Sequence, residues 1–533
     1  MSIHERTSKG LAVALAAAVV IRLLTMGLYP FTDTTEARYA EVARKMVELG
    51  DWVTPWYDYG VPFWAKPPLS TWLTALSFKV FGFNEFAGRL PHFLVATVTA
   101  WLVWDWIRRS HPRTAQLSLA LLCGTLVFSV AAFAVMTDMS LALATTMVMR
   151  GFWCHLHPEE ATGRLRWDGQ WLLFAGLGLG MLAKGPVVIV LSGLPILGWA
   201  LATGNFVRVW KSFSWIKGLM VVVAIAAPWY VWAEMRTPGF WAYFFVGEHW
   251  KRFTETGWTG DRYGSAHASA RGTIWLLALG ASLPWPLLLP WLGIGRASAL
   301  AAVTGGQRQP ATATDWLSDG RTPANVASPA ERRSWAGYLV AWVLAPCLFF
   351  TAAGNILWTY VLPAMPALAI GLATWLASDP RHRRVNAVII AGVLFTLAAL
   401  LAIAADRQSN HAWKTAKGTV AAYAELSREA MHATALNSPQ QQIPLFFLGD
   451  RPYSASFYSR GTAKLVSSPT DLLALLEQKA AFVALTKEQT RAMPDSLKTR
   501  LQLRQTGPQF DLYSSRPNIP RQSGIGLTKE SGG

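Results

Sequence analysis

Of the 533 residues, 52% are apolar and only 15% charged, with 27 tryptophans and 25 phenylalanines; this excludes an ordinary soluble protein and fits a multi-span membrane protein. A formal net charge of +17 in such a chain points to cytoplasmic loops and anionic lipid heads rather than to nucleic acid. The three cysteines, Cys123, Cys154 and Cys347, stand in or beside apolar runs, and no disulfide framework is implied.

In chain order, the first apolar run, GLAVALAAAVVIRLLTMGL, has no cleavage-site pattern and is expected to stay as a signal anchor over roughly residues 10–30. The segment DTTE, Asp33 to Glu36, then reads as an N-cap box opening a helix. The apolar face of that helix is Tyr39, Val42, Ala43, Met46 and Val47. Further spans are expected at roughly 90–107, 114–136, 138–155, 169–183, 186–204, 216–234, 272–295, 335–353, 357–377 and 385–405. The uncharged stretch from Ser334 to Ser378 is long enough for two of them. Residues 297–334, rich in Ala, Thr, Gly and Pro, read as a cytoplasmic linker.

Lysine and arginine fall in every second connection, from Arg6 and Lys9 through Arg108, Arg109 and Arg113 to Arg381, Arg383 and Arg384. By the positive-inside bias the N-terminus is cytoplasmic. The other connections then share the external face: a first loop of about 31–89, Asp138, Lys184, the segment 234–271, Asn355 and everything after Asp406. The tail is polar, and its runs IPLFFLG, AAFVALT and QFDLYSS read as strands beside a helical SPTDLLALLEQKA. A small external α/β domain is expected over 406–520, followed by a disordered tail at 521–533. The membrane domain is expected over 1–405.

Charge inside or beside a span needs a reason, since a charge at a helix centre costs about 2.5–3.5 kcal/mol. The first external loop carries Asp33, Glu36, Arg38, Glu41, Arg44 and Lys45, then Lys66 between aromatics and Pro67-Pro68. Lys66 is either a snorkelling side chain or a placed cation. Asp138, where two spans meet, is either a helix N-cap or a site carboxylate. Lys184 precedes a Gly-Pro helix break, and Glu248 and His249 stand beside Lys251 and Arg252 in FFVGEHWKRF. Carboxylates, cations and a histidine on one membrane face suit a substrate with a phosphate and a lipid tail. No phosphate-cradling glycine loop is present for a nucleotide, so a preactivated, lipid-carried donor is expected.

At these residues the sequence resembles a known family. DTTEARYAEVARKMVELGDWVTPWYDYGVPFWAKPPLSTWLTALSFKVFGFNEFAGRLP looks like the first external loop of the bacterial aminoarabinose–lipid A transferases, which are grouped with the protein O-mannosyltransferases. VMTDMSLAL, LAKGP, FFVGEHWKRF and NILWTYVLPAMPALAI follow in family order, so the likeness covers about residues 10–380. The resemblance implies a mainly α, polytopic GT-C membrane fold of about 11–13 transmembrane helices, with the small periplasmic α/β domain after it. It also implies inverting transfer of a sugar, such as 4-amino-4-deoxy-L-arabinose, from undecaprenyl phosphate at the periplasmic face of the bacterial inner membrane. The acceptor would be lipid A, the lipopolysaccharide anchor, or another envelope glycan; nucleic acid is not expected.

Carried over by position, Lys66 binds the donor's phosphate, Asp138 is the second essential carboxylate, and Asp33 or Glu36 takes the first carboxylate role; Arg38 and Lys184 are expected as further cations at the donor phosphate. His249 matches the family's metal-associated histidine, with Glu248 beside it as a further candidate ligand, which leaves a divalent metal as the one cofactor to consider. The family's adjacent Asp-Glu is Thr35-Glu36 here, with the aspartate at Asp33. A family glutamate is replaced by Ala65, removing one expected metal ligand, and Asn355 stands where a lysine is frequent. The rival readings are a protein O-mannosyltransferase-like activity and, in another class, a transporter or flippase of a lipid-linked sugar.

Overall fold

The computed structural model describes residues 3–108, 111–158, 169–264, 267–288, 290, 329–379, 381–408, 414–433 and 443–515. These fall into two compact units: Met1–Gly27 with Lys45–Ala402, and Leu28–Arg44 with Ile403–Gly533. Most of the linker expected at 297–334 and the tail at 521–533 lie outside the described residues.

The first unit is helical. Among its described residues, five helices are long and apolar enough to cross a membrane: Glu85–Ile107, Trp215–Arg236, Ala330–Thr351, Trp358–Ala377 and His382–Asp406. Each coincides with a largely apolar run that a bilayer core would accept. Shorter apolar helices fill in between them, including Asp138–Leu156, Gly169–Lys184 and Val187–Ala202. Asp138–Leu156 and Gly169–Lys184 pack most closely, because glycines let their backbones touch: a Cβ on Gly151 would meet the Gly169 carbonyl oxygen at 2.5 Å, and one on Gly176 the Ala144 oxygen at 2.9 Å. Apolar side chains gain little from leaving lipid for protein, so this close approach supplies the attraction.

The expected span 114–136 is not continuous. Helix Pro112–Gly124 stops, Thr125 is extended, and Leu126–Ala131 restarts. The interruption receives Trp285, whose indole N–H reaches the Leu121 carbonyl (3.0 Å) and Thr125 Oγ1 (2.9 Å). Its ring lies where a Cβ on Gly124 would be, at 2.6 Å. The expected span 272–295 is likewise broken, into Thr273–Ala281 and Trp285–Leu288, and the one at 357–377 opens with a 3₁₀ segment, Trp358–Ala364. The segment before Glu85 also contains a helix, Leu69–Phe81, and a short hairpin of β1 (Trp56–Asp58) and β2 (Val61–Pro62).

The second unit holds a five-stranded sheet: β3 (Leu445–Leu448), β4 (Lys464–Val466), β5 (Phe482–Thr486), β6 (Gln502–Thr506) and β7 (Phe510–Ser514), in the order β4-β3-β5-β7-β6. β3 pairs in parallel with β4 and β5, while β7 runs antiparallel to β5 and β6. Alternation along β3 sends Leu445 and Phe447 to a core with helix Lys417–Ala433, and Phe446 and Leu448 to one with helix Pro469–Gln478. Residues 28–44 belong to this unit through specific bonds: the Phe31 N–H donates to the Tyr458 hydroxyl (2.7 Å) and the Asp33 N–H to the Lys414 carbonyl (2.7 Å).

Candidate active site

The helix Thr35–Leu49 begins in the charged segment, but Asp33 does not cap it. Its carboxylate accepts from the Ser454 N–H (3.0 Å) and the Ser454 hydroxyl, at the start of helix Tyr453–Tyr458. The expected cap box is thereby corrected: a partner from far along the chain takes the aspartate. Burial pushes this carboxyl up to about 6 against the bonds from Ser454. Glu41 and Arg44 are both buried and form a two-pronged pair at 2.6 and 2.8 Å. Glu36 is buried as well, and Arg38 lies over Tyr39 and Tyr453 at 5.4 and 5.8 Å.

In the first unit the remaining candidates come together. Lys66 Nζ donates to Glu248 Oε2 (2.9 Å) and to the carbonyl of Ala65 (2.7 Å). Its loop is pinned by Tyr263, whose hydroxyl accepts from the Trp64 N–H (3.0 Å) and donates to the Pro62 carbonyl (2.8 Å). Lys184 Nζ donates to Asp138 Oδ1 (2.7 Å) and sits 4.5 Å from the centre of the Tyr360 ring. The two pairs are joined through His249, whose Nε2 is 3.3 Å from the Lys184 carbonyl oxygen.

Local structure explains the placement. Asp138 opens helix Asp138–Leu156 and Lys184 closes Gly169–Lys184, so each charge lies at the helix end whose dipole favours it. Gly185 follows at φ +86°, and a Cβ there would come within 2.6 Å of Phe244 and 3.0 Å of His249 Nε2. Only glycine meets both demands. Glu248 and His249 lie on a π-helix, Ala242–Lys251, a widened form found frequently at functional sites. Ser70 and Ser140 share a hydroxyl hydrogen bond (3.1 Å) that ties helix Leu69–Phe81 to the helix bearing Asp138.

Around Glu248 stand residues that sequence reasoning left unassigned. Arg252 donates to it at 3.1 Å and also pairs with Asp261 at 3.3 Å, and the Tyr243 hydroxyl donates to Glu248 at 3.2 Å. The i, i+4 spacing of Glu248 and Arg252 was a visible signal; nothing in the sequence marked Asp261. Asn355 holds the chain after Arg252 in place. It donates to the carbonyls of Arg252 (2.6 Å) and Glu255 (2.8 Å) and accepts from the Gly257 N–H (3.2 Å). Burial pushes the Glu248 carboxyl up, but Lys66 and then Arg252 outweigh it and hold the group below the usual carboxylate range. Burial also lowers His249, which keeps the ring neutral at pH 7.

Glu248 does not fit a metal in this arrangement, its oxygens being taken by cations and a phenol. The neutral ring of His249 carries one N–H and donates to one of the two carbonyl oxygens it faces, Phe244 at 2.8 Å or Lys184 at 3.3 Å. Among the described residues no group of three or more His, Cys, Asp or Glu is gathered as a metal site.

Comparison with known proteins shows what the chain as a whole is similar to. A family profile described as dolichyl-phosphate-mannose-protein mannosyltransferase matches residues 65–232. The undecaprenyl phosphate-alpha-4-amino-4-deoxy-L-arabinose arabinosyl transferase of Enterobacter sp. (strain 638) is 28% identical over 407 residues, 74% of this chain and 65% of that protein. Its counterpart from Edwardsiella ictaluri (strain 93-146) is 30% identical over 369 residues, 66% of this chain and 58% of that protein. The crystal structure of ArnT from Cupriavidus metallidurans bound to undecaprenyl phosphate superposes with a TM-score of 0.73 at 19% identity, over 96% of this chain and 99% of that one. The chain shares the fold of that ArnT structure, the GT-C fold, and is similar in sequence to these arabinosyl transferases. It is a membrane protein, and the matched region spans less than two thirds of the length of these curated relatives.

Proposed function

We propose that the protein is an inverting glycosyltransferase that moves a sugar from undecaprenyl phosphate to an acceptor at the periplasmic face of the bacterial inner membrane. The sugar is of the 4-amino-4-deoxy-L-arabinose type named for the relatives, and the acceptor is lipid A or another envelope glycan. The observation that carries this reading is the joined pair of ion pairs, Lys66 with Glu248 and Lys184 with Asp138.

An ammonium has three N–H donors. Lys66 uses two, on Glu248 and Ala65, and offers the third to a phosphate oxygen. The acceptor oxygen attacks the anomeric carbon opposite the phosphate; the bond from that carbon to the phosphate oxygen breaks, and its electron pair stays on the departing phosphate. Lys66 and Lys184 stabilise that developing charge. Asp138 takes the proton when the acceptor is a hydroxyl. A lipid phosphate acceptor is already ionised and needs no base. With its carboxylate bonded to Ser454, Asp33 holds structure, and Glu36 carries the second carboxylate role.

The positive-inside pattern supports a cytoplasmic N-terminus and an external site. The matched mannosyltransferase profile favours a second reading, a protein hydroxyl acceptor. Mass spectrometry of lipid A, envelope glycans and envelope proteins from cells with and without the gene tests both. A sugar lost with the gene and restored with it identifies the acceptor; no change in any of the three overturns the transferase reading.

A further inference from the structure

The turn GWTGDRYG, Gly257 to Gly264, is tied into the candidate site on both sides of Arg262. Asp261 pairs with Arg252 (3.3 Å) and its Oδ1 accepts from the Tyr263 N–H (3.0 Å). The Tyr263 hydroxyl holds the strand end before Lys66 through Pro62 and Trp64. Arg262 itself donates its N–H to the Tyr243 hydroxyl (3.2 Å), which in turn donates to Glu248. Its backbone is thus fixed by the same bonds that build the site. Its side chain is exposed, and the guanidinium lies 4.9 Å from the centre of the Trp64 ring and 5.5 Å from that of Tyr243. Among the described residues no carboxylate pairs with it. The group joined by these contacts has three cations, Lys66, Arg252 and Arg262, against two carboxylates, Glu248 and Asp261, and both carboxylates are bonded to Lys66 or Arg252. Arg262 carries the surplus charge.

We propose that Arg262 is a specificity-determining residue that binds a phosphate of the acceptor, so that the site selects a phosphorylated glycolipid over a neutral one. Naming the ligand as the acceptor rests on the transferase reading. A guanidinium fork matches phosphate oxygens with two parallel bonds, and contact with two rings orients it without a carboxylate occupying its N–H donors. Exposure separates this phosphate from the donor's. The Lys66 and Arg252 side chains are 20% and 17% exposed and the Glu248 side chain 1%, which keeps the leaving phosphate inside the cluster. Arg262 presents its charge at the surface, where the second substrate arrives.

Native mass spectrometry of the full chain, purified in detergent and titrated with lipid A, with the same lipid A stripped of its phosphates, or with undecaprenyl phosphate, tests the site without reference to turnover. Wild type is expected to bind the phosphorylated lipid A about tenfold more tightly than the stripped form, the weight of one charge-assisted hydrogen bond. Arg262→Gln is expected to lose most of that preference. Arg262→Lys, which keeps the charge without the fork, is expected to keep part of it. All three should bind undecaprenyl phosphate equally. Equal binding of the two lipid A forms by wild type, or an unchanged preference in Arg262→Gln, overturns the proposal. Weaker binding of undecaprenyl phosphate by Arg262→Gln also overturns it and gives Arg262 to the donor. A chain that shows the expected preference yet moves no sugar sinks the transferase reading and leaves Arg262 as a binder of phosphorylated glycolipid. Should Arg262→Gln not fold, Arg262→Lys decides by the same comparison.

Discussion

Lys66 and Glu248 meet at 2.9 Å across 182 residues of sequence, and Arg252 bonds the same carboxylate at 3.1 Å. Replacing Lys66 with Ala is expected to lower the turnover number by about 10²–10³, the usual loss when one donor to a developing anion is removed. Glu248→Ala leaves two cations facing each other without their shared counter-charge and is expected to destabilise the fold by about 3–5 kcal/mol. Thermal unfolding in detergent and steady-state transfer assays separate the two effects: Lys66→Ala loses rate with little change in melting temperature, Glu248→Ala loses both.

Asp138→Asn distinguishes acceptor classes. A hydroxyl acceptor needs a base, and its transfer rate should fall by about 10²–10⁴. A phosphate acceptor needs none, and its rate should change far less. Assays of the same variant with both acceptors read the difference directly.

Asp33 and Glu36 are separable by activity and by pH. Asp33→Asn is expected to keep transfer activity at neutral pH, and Glu36→Gln to lose it. Because the folded protein raises the Asp33 carboxyl from 3.8 to about 6, ionising it is harder in the folded chain than in the unfolded one. The stability linked to this group is therefore fully present below the lower value, falls as pH rises through the window, and is constant above it. Melting temperatures of wild type and Asp33→Asn across that window should diverge with rising pH; parallel curves would remove the buried, ionisable Asp33.

Asn355 joins one donor pair and one acceptor to the loop after Arg252. Asn355→Ala orphans those backbone groups at about 1–3 kcal/mol for each that stays buried. Asn355→Lys, the residue frequent in the resembled family, can still donate to the two carbonyls but leaves the Gly257 N–H without its acceptor. The lysine variant is expected to melt between wild type and the alanine variant.

The membrane spans and the C-terminal sheet were legible because each is a local pattern: apolar length for the spans, short apolar runs bounded by turn residues for β3, β5 and β7. The breaks were not. What interrupts the helix at Gly124 is Trp285, a partner remote in sequence, and no window around residue 124 contains it. The same holds for the site. Lys66, Asp138, Lys184, Glu248 and His249 stood out as charge beside apolar runs, but their pairing, the clamp of Arg252 and Asp261 and the two carbonyls facing His249 are tertiary facts. Asp33 shows the limit most clearly: its spacing to Glu36 matched a cap box, and the structure gives its oxygens to Ser454 instead.

That bond between Asp33 and Ser454 also sets an order of events. The segment carrying Glu36 and Arg38 leaves the ribosome early, yet Ser454, which holds Asp33, follows 421 residues later, with Lys414 and Tyr458 on either side of it. A nascent chain can insert its first spans while this early segment still lacks its anchor. Synthesis of the stretch around Ser454 thus acts as a checkpoint on when Glu36 and Arg38 are set in place.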